Sequence, residues 1–503
     1  MDRWKGVNQL ALSNFAAEGT KKRVILLLID SLMTIPLQNA VRNGQARTFQ
    51  FFIENGHFYS DVVSPFPTMS VNVDSTLLTG VYCDKHKIPG LVWYHLDEKR
   101  LINYGSHIRE LMKLGLKQSM NDILYNLNNV HLGNEFKTIH EELAMSDKKS
   151  ASINTLIYKG STNQSLIIPR LLSWLTGIPG KIEVKAPSLF SHGALHKMNP
   201  FNRKHHFWRK YGFQNTFSVN ELTYLIQEDK LPDFSIVYFS DGDKSVHKNG
   251  PMDTKAIIKI DQQLATILNS FSSREDALKE NIWVIMGDNG QAWIGADRNE
   301  ALIDLRKVLN EYTIVKLRKG VTPKDQIVLG VNERMAFVYS LDANRLALNQ
   351  IANTLQKDRR IDLIGWKAGE DIHVISGEQD GKLIFHPGGD YIDEYGQTWS
   401  LEGKIEILDL QIKDKRISFG NFPDGLARFY SSFFSHKGDY LVITAKPGYE
   451  LIGEGSPTHV GGASHGALHK DDSLVPMIVT GTDSAPKHLR IKDVKEWVLS
   501  IIK

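Results

Sequence analysis

NIWVIMGDNGQAWIG, residues 281–295, carries an apolar run onto Asp288, Asn289 and Gly290, and it reads in two ways. Asn-Gly between two apolar segments signals a hairpin turn, in which Asp288 and Asn289 only shape backbone. An acid at the exit of a strand buried on both faces can instead be a metal ligand. Which of the two holds depends on what the rest of the chain builds around this run.

Two other stretches share the second pattern. Arg23–Ile29 (RVILLLI) ends on Asp30, and Phe234–Phe239 (FSIVYF) runs toward Asp241 and Asp243. Helical patterns such as Lys255–Leu268 (KAIIKIDQQLATIL) lie between them. This alternation predicts an α/β fold, a mostly parallel sheet covered by helices, whose ligand crevice lies at the carboxyl ends of the strands. Two regions break the alternation, residues 131–225 and residues 301–440, the latter rich in mixed charge, Gly and strand-like segments, and both read as inserted caps. The core is then expected in residues 21–130, 226–300 and 441–503. Asp439–Ala445 (DYLVITA), Val475–Thr480 (VPMIVT) and a last helix near Ile491–Ile502 are expected to bring the chain back to it.

Composition narrows the chemistry. With 60 basic and 57 acidic residues the net charge is +3, too balanced to imply a nucleic-acid polymer or membrane partner for the whole chain. The single cysteine, Cys83, excludes an intramolecular disulfide and a thiolate cluster, and it fits a reducing, cytoplasmic location. The first 22 residues lack a signal-peptide core, and no apolar run approaches the length of a membrane span. Any bound metal must therefore use His, Asp, Glu or hydroxyl groups.

Such groups gather at the expected strand exits. Asp243 and His247 stand four apart in SDGDKSVHKNGP, read as a loop, and His465 lies in the Gly-rich GGASHGALH. Oxygen and imidazole donors without thiolate suit Zn²⁺ or Mn²⁺. SPFPTMSVNVDSTLLTG, residues 64–80, offers Thr68 and Ser70 where a helix over Val71–Leu78 is expected to begin. A hydroxyl there can cap the helix, or it can stand as a nucleophile at the positive end of the helix dipole, where a phosphate also binds.

In this order the motifs resemble the alkaline phosphatase superfamily, and within it the type I phosphodiesterase/nucleotide pyrophosphatase family. Asp30 matches that family's metal Asp at a strand end, and Pro67-Thr68-Met69-Ser70 with Thr79-Gly80 matches its nucleophile segment, which places the nucleophile on Ser70. Asp243 and His247 match its D-x-x-x-H, Asp288 and Asn289 its Asp-His pair, and His465-Gly466 its last His-Gly. The resemblance implies an alkaline-phosphatase-like fold and two divalent ions, Zn or Mn. One would sit on Asp30, Ser70, Asp288 and Asn289, the other on Asp243, His247 and His465. It also implies hydrolysis of a small-molecule phosphoric ester, a phosphodiester or pyrophosphate bond, through a phosphoseryl intermediate. Asn289 replaces the family's imidazole, and Leu91 stands where nucleotide pyrophosphatases carry an Asn that holds a substrate oxygen. A sulfatase is disfavoured because the formylglycine motif is absent at PTMS. A phosphomonoesterase, a phosphomutase and a catalytically impaired binding protein stay as alternatives.

Two further features ask for a role. Lys197–Phe213 (KMNPFNRKHHFWRKYGF) interleaves basic and aromatic residues, which suits either base stacking beside a phosphate or a basic surface helix with its aromatics packed inward. SHGALHK occurs twice, at Ser191–Lys197 and Ser464–Lys470, and the first copy is a candidate second imidazole loop over the site.

Overall fold

The structure, a computed structural model, describes residues 22–502. The segment read for a signal sequence therefore lies, but for Lys22, outside the described residues.

Seven strands form the main sheet in the order Gly56–Val63, Leu474–Thr480, Asn281–Gly287, Arg23–Ile29, Phe234–Phe239, Ser150–Ile153 and Leu189–Ser191. Arg23–Ile29 pairs in parallel with both of its neighbours, and Leu474–Thr480 alone runs against the strands on its two sides. Strand alternation divides RVILLLI between two cores. Val24, Leu26 and Leu28 face the side packed by the Ser70–Thr79 and Ile491–Ile502 helices, while Ile25, Leu27 and Ile29 face the Arg47–Glu54, Asn215–Gln227 and Lys255–Leu268 helices. A run covered on both faces has no polar side to show, which is why it reads as continuously apolar. Each such fully buried aliphatic side chain contributes about 1.5–3 kcal/mol of burial. The mostly parallel, helix-covered α/β sheet is as expected.

Two expectations about the insertions change. Residues 131–225 are not only a cap, because Ser150–Ile153 and Leu189–Ser191 extend the main sheet at one edge. Asp439–Ala445 does not rejoin the main sheet. It lies between Met335–Ser340 and Ile361–Ala368 in a second, nine-stranded and mainly antiparallel sheet. That sheet is itself covered on both faces here, with Tyr440 and Val442 in the core shared with the main sheet and Leu441, Ile443 and Ala445 in a separate core. A central antiparallel strand in that position has the same apolar signature as a parallel one.

Arg334, in the turn after Ile327–Asn332, ties the second sheet to the end of the chain. Its guanidinium pairs with Asp472, both side chains being fully buried, and also donates to the carbonyl of Ala445 at 2.9 Å. Arg334→Ala leaves Asp472 buried without its cation and is expected to cost about 3–5 kcal/mol, read as a lower urea midpoint with an unchanged slope. Replacing the pair together, Arg334→Met with Asp472→Leu, is expected to recover most of that loss. Among the described residues no helix is long and apolar enough to cross a membrane.

Candidate active site

The register of the main sheet assembles the acids. Ile29 stands opposite Gly287 on one side and Phe239 on the other, so three strands end level and Asp30 and Asp288 emerge side by side. The next helix, Asp241–Asn249, starts so close to the first strand that a Cβ on Gly242 would lie 2.3 Å from the Asp30 carbonyl oxygen. Only glycine fits there, and it lets Asp243 meet the other two acids.

Asp30 and Asp288 are buried. Asp288 Oδ1 accepts from the backbone N–H of Ser31 at 2.9 Å and of Asn289 at 2.7 Å, while its Oδ2 is buried with no hydrogen-bond partner. Asp30 accepts from the Tyr238 hydroxyl and, at 3.1 Å, from Ser31 Oγ. Burial, then the Asp288 and Asp243 carboxylates, push Asp30 well above the usual carboxylate range. Burial likewise raises Asp288 to about 6. Asp74, which sequence reasoning passed over, lies one helical turn beyond Ser70. Burial and then Asp288 raise it to about 8, and its Oδ1 has no partner. No Lys or Arg pairs with Asp30, Asp74 or Asp288 among the described residues. Buried carboxylates with unpartnered oxygens and no side-chain cation form a donor set that fits a divalent ion.

Ser70 is the first residue of the Ser70–Thr79 helix, and neither it nor Thr68 caps it, since the N-cap is Met69 without a side-chain bond. Ser70 is half-buried and stands beside Asp288, whose pKa it helps to hold down. Thr68 is fully buried and occupied. Its hydroxyl accepts from Gly466 N–H at 2.8 Å and its carbonyl from His465 Nδ1 at 2.7 Å. Of the two hydroxyls, Thr68 is thus committed within the fold, where its carbonyl orients His465, and Ser70 is the one that faces Asp288.

Asp243 and His247 lie on a helix rather than the expected loop, at i and i+4 on one face, with His247 Nε2 2.8 Å from Asp243 Oδ1. His465 Nε2 is 3.8 Å from the same oxygen. Burial opposes ionisation of Asp243, but His247 and then His465 outweigh it and hold the acid below its ordinary value. Gln291 joins the two halves, donating through Nε2 to Ser31 Oγ at 2.8 Å and to Asp243 Oδ1 at 2.9 Å. Glu333 and His459, also missed, stand beside His247.

NIWVIMGDNGQAWIG makes no hairpin. Its strand ends at Gly287, and Ala292–Trp293 pairs with Ala463–Ser464 instead, which brings His465 beside Asp288. Asn289 is fully buried, with Oδ1 3.4 Å from Ser31 Oγ and Nδ2 without a partner, so it turns into the site.

The sequence profile of the type I phosphodiesterase/nucleotide pyrophosphatase family matches residues 24–362. The chain belongs to that family. Its members are hydrolases of the phosphodiesterase and pyrophosphatase type. No curated protein sequence matches the chain. Among solved structures, human ectonucleotide pyrophosphatase/phosphodiesterase 5 is similar at 13% identity and a TM-score of 0.56, covering 96% of this chain and 95% of that one. An inactive form of the murine protein in complex with AMP is similar at 12% identity and a TM-score of 0.56, with 96% and 95% coverage. Phosphonoacetate hydrolase from Sinorhizobium meliloti 1021, in complex with phosphonoformate, is similar at 14% identity and a TM-score of 0.55, covering 96% of each chain. At these identities the likeness is one of fold, and it is the alkaline-phosphatase-like fold expected for the family.

Family membership leaves the other sequence features to be placed. Leu91 packs against the main core. Lys197–Phe213 forms no regular surface helix, because Lys210 and Tyr211 have left-handed backbone, with φ of 48° and 53°. The side chains of Phe207 and Trp208 lie outside the described residues. Lys210 reaches Asp241, at the start of the helix that carries Asp243, at 3.9 Å. The first SHGALHK copy puts His192 against Tyr158, Phe190 and Phe213 in an aromatic cluster.

Proposed function

We propose that the protein hydrolyses small phosphoric esters, of phosphodiester or pyrophosphate type, through a phosphoseryl intermediate on Ser70. The observation that carries this is the Ser70 hydroxyl at a helix N-terminus beside Asp288, with Thr68 committed elsewhere. Ser70 Oγ attacks phosphorus in line, the P–O bond to the leaving group breaks, and the phosphoryl group passes to Ser70. Water then attacks the phosphoserine, releases the product and returns the hydroxyl. The N-terminal end of the Ser70–Thr79 helix would present the positive end of its dipole to the anionic phosphoryl oxygens. The Thr68 carbonyl fixes the tautomer of His465, and Gln291 holds Ser31 and Asp243 in one arrangement. Divalent ions held by Asp30, Ser70, Asp288 and Asn289 on one side, and by Asp243, His247 and His465 on the other, would supply the charge that lowers the Ser70 pKa and neutralises the phosphoryl oxygens. From its single cysteine we place the reaction in a reducing, cytoplasmic compartment.

The test is turnover of bis-p-nitrophenyl phosphate and of p-nitrophenyl phosphate with Zn²⁺ or Mn²⁺ supplied. Release from the diester is expected to exceed release from the monoester. No release from either, with either metal, overturns the proposal.

The Asn289 position sets the metal preference. An amide oxygen is a poorer donor to Zn²⁺ than an imidazole nitrogen and suits the harder Mn²⁺ or Mg²⁺ better. Asn289→His is therefore expected to raise Zn²⁺ affinity on the Asp30–Asp288 side and move the best activating metal toward zinc. Unchanged metal content and preference would remove Asn289 from the ligand set.

A further inference from the structure

Three imidazoles surround the Asp243 side of the site, and each is pinned in the same way. His247 offers Nδ1 to the Ala463 carbonyl at 2.7 Å, His465 to the Thr68 carbonyl at 2.7 Å, and His459 to Oε1 of fully buried Glu450 at 2.6 Å. A carbonyl or carboxylate oxygen can only accept, so Nδ1 carries the hydrogen in all three rings and the neutral ring keeps its Nε2 lone pair free. A buried carboxylate behind an imidazole is the arrangement that orients a metal-binding histidine, and Glu450 also takes the backbone N–H of His459 at 2.9 Å.

Glu333 supplies an acid from the second sheet. Asn332 pairs with Met335, so Glu333 and Arg334 form a two-residue hairpin tip, and Glu333 sits there at φ 58°. A left-handed backbone suits Gly or Asn, and holding a glutamate in it costs about 1–3 kcal/mol, a strain kept where the side chain is used. Glu333 is directed at the imidazoles, with Oε1 3.8 Å from His247 Nε2 and Oε2 3.9 Å from His465 Nε2. The His247 and His459 rings stack with centroids 4.0 Å apart. The ligand atoms of His247, Glu333 and His459 lie within 4.8 Å of one another, as do those of Asp243, His247 and His465.

We propose that His247, Glu333 and His459 form a further binding position for a divalent cation, zinc by its donor set, beside the Asp243–His247–His465 position. The inference rests on the metal dependence proposed above. An imidazole nitrogen has one lone pair, so His247 cannot serve two ions at once. The two positions are alternative stations of one ion, which can leave Asp243 without leaving the protein.

The experiment measures bound zinc, and zinc affinity by chelator competition, in the full-length protein and in Asp243→Ala, alone and combined with His459→Ala or with Glu333→Gly. Glu333→Gly relieves the backbone strain but frees the Ser464 hydroxyl and the His465 N–H, so its urea midpoint is read beside its zinc, and only a loss of zinc at an unchanged midpoint counts. Asp243→Ala is expected to keep its zinc with affinity lowered about tenfold, and each double variant to fall about a hundredfold further. If the double variants bind zinc as Asp243→Ala does, or if Asp243→Ala has already lost it as fully as they have, the second station does not exist. If the unaltered protein binds no zinc, this inference falls together with the metal-dependent function. If the unaltered protein binds zinc and turns over esters, either of the two preceding results removes the second station alone.

Discussion

Ser70→Ala is expected to lower turnover of bis-p-nitrophenyl phosphate about ten-thousandfold or more, because the neighbouring hydroxyl, Thr68, is fully buried and held by the Gly466 N–H and cannot take its place. The fold should survive, since Ser70 caps nothing and its side chain is only half-buried. Thr68→Ala is expected to behave differently. It removes the acceptor of the Gly466 N–H and costs about 1–3 kcal/mol of stability as an unsatisfied buried donor, with a smaller effect on rate. Single-turnover kinetics, with acid trapping of phosphoprotein, checks both variants. A working Ser70→Ala together with a dead Thr68→Ala would place the nucleophile two residues earlier.

His247→Ala is the second large effect. His247 belongs to both groups of metal-competent side chains and is the ion-pair partner of Asp243. Its removal should cost about a hundredfold or more in activity, since losing a ligand exceeds losing a supporting contact, which costs about 10–100-fold. Zinc content should fall by about one equivalent. Stability should respond as well, because burial then acts on Asp243 without its main counter-charge. Elemental analysis before and after dialysis reads the first effect, and urea denaturation the second. Unchanged zinc in His247→Ala would remove the imidazole side from the site.

The strand exits were legible because Arg23–Ile29, Phe234–Phe239 and Asn281–Gly287 are covered on both faces and each hands over an acid near its end. The Asp241–Asn249 helix was not legible as one. Val246 is its only buried apolar side chain, packed on Met33 and Ala463, so no amphipathic stripe marks it. Ser150–Ile153 and Leu189–Ser191 were missed as sheet strands because they are short and half polar. Glu333 and His459 carry no local motif. Their meaning depends on a hairpin tip and a loop meeting the Asp241–Asn249 helix across long chain separations. Asn289 was a departure visible in the sequence, and its burial shows that it faces inward.

The strand Leu474–Thr480 sits between Gly56–Val63 and Asn281–Gly287, its hydrogen bonds shared between them. A ribosome makes those two neighbours first and delivers the strand that joins them roughly 190 residues after Gly287. At about 5–20 residues per second, the nascent chain spends on the order of 10–40 s with an unpaired, apolar edge at the centre of its future main sheet. Such an edge invites pairing with other chains. The Asn281–Gly287 edge is therefore expected to need protection until Leu474–Thr480 has been made, and nascent chains halted before Leu474 should be captured by chaperones or aggregate.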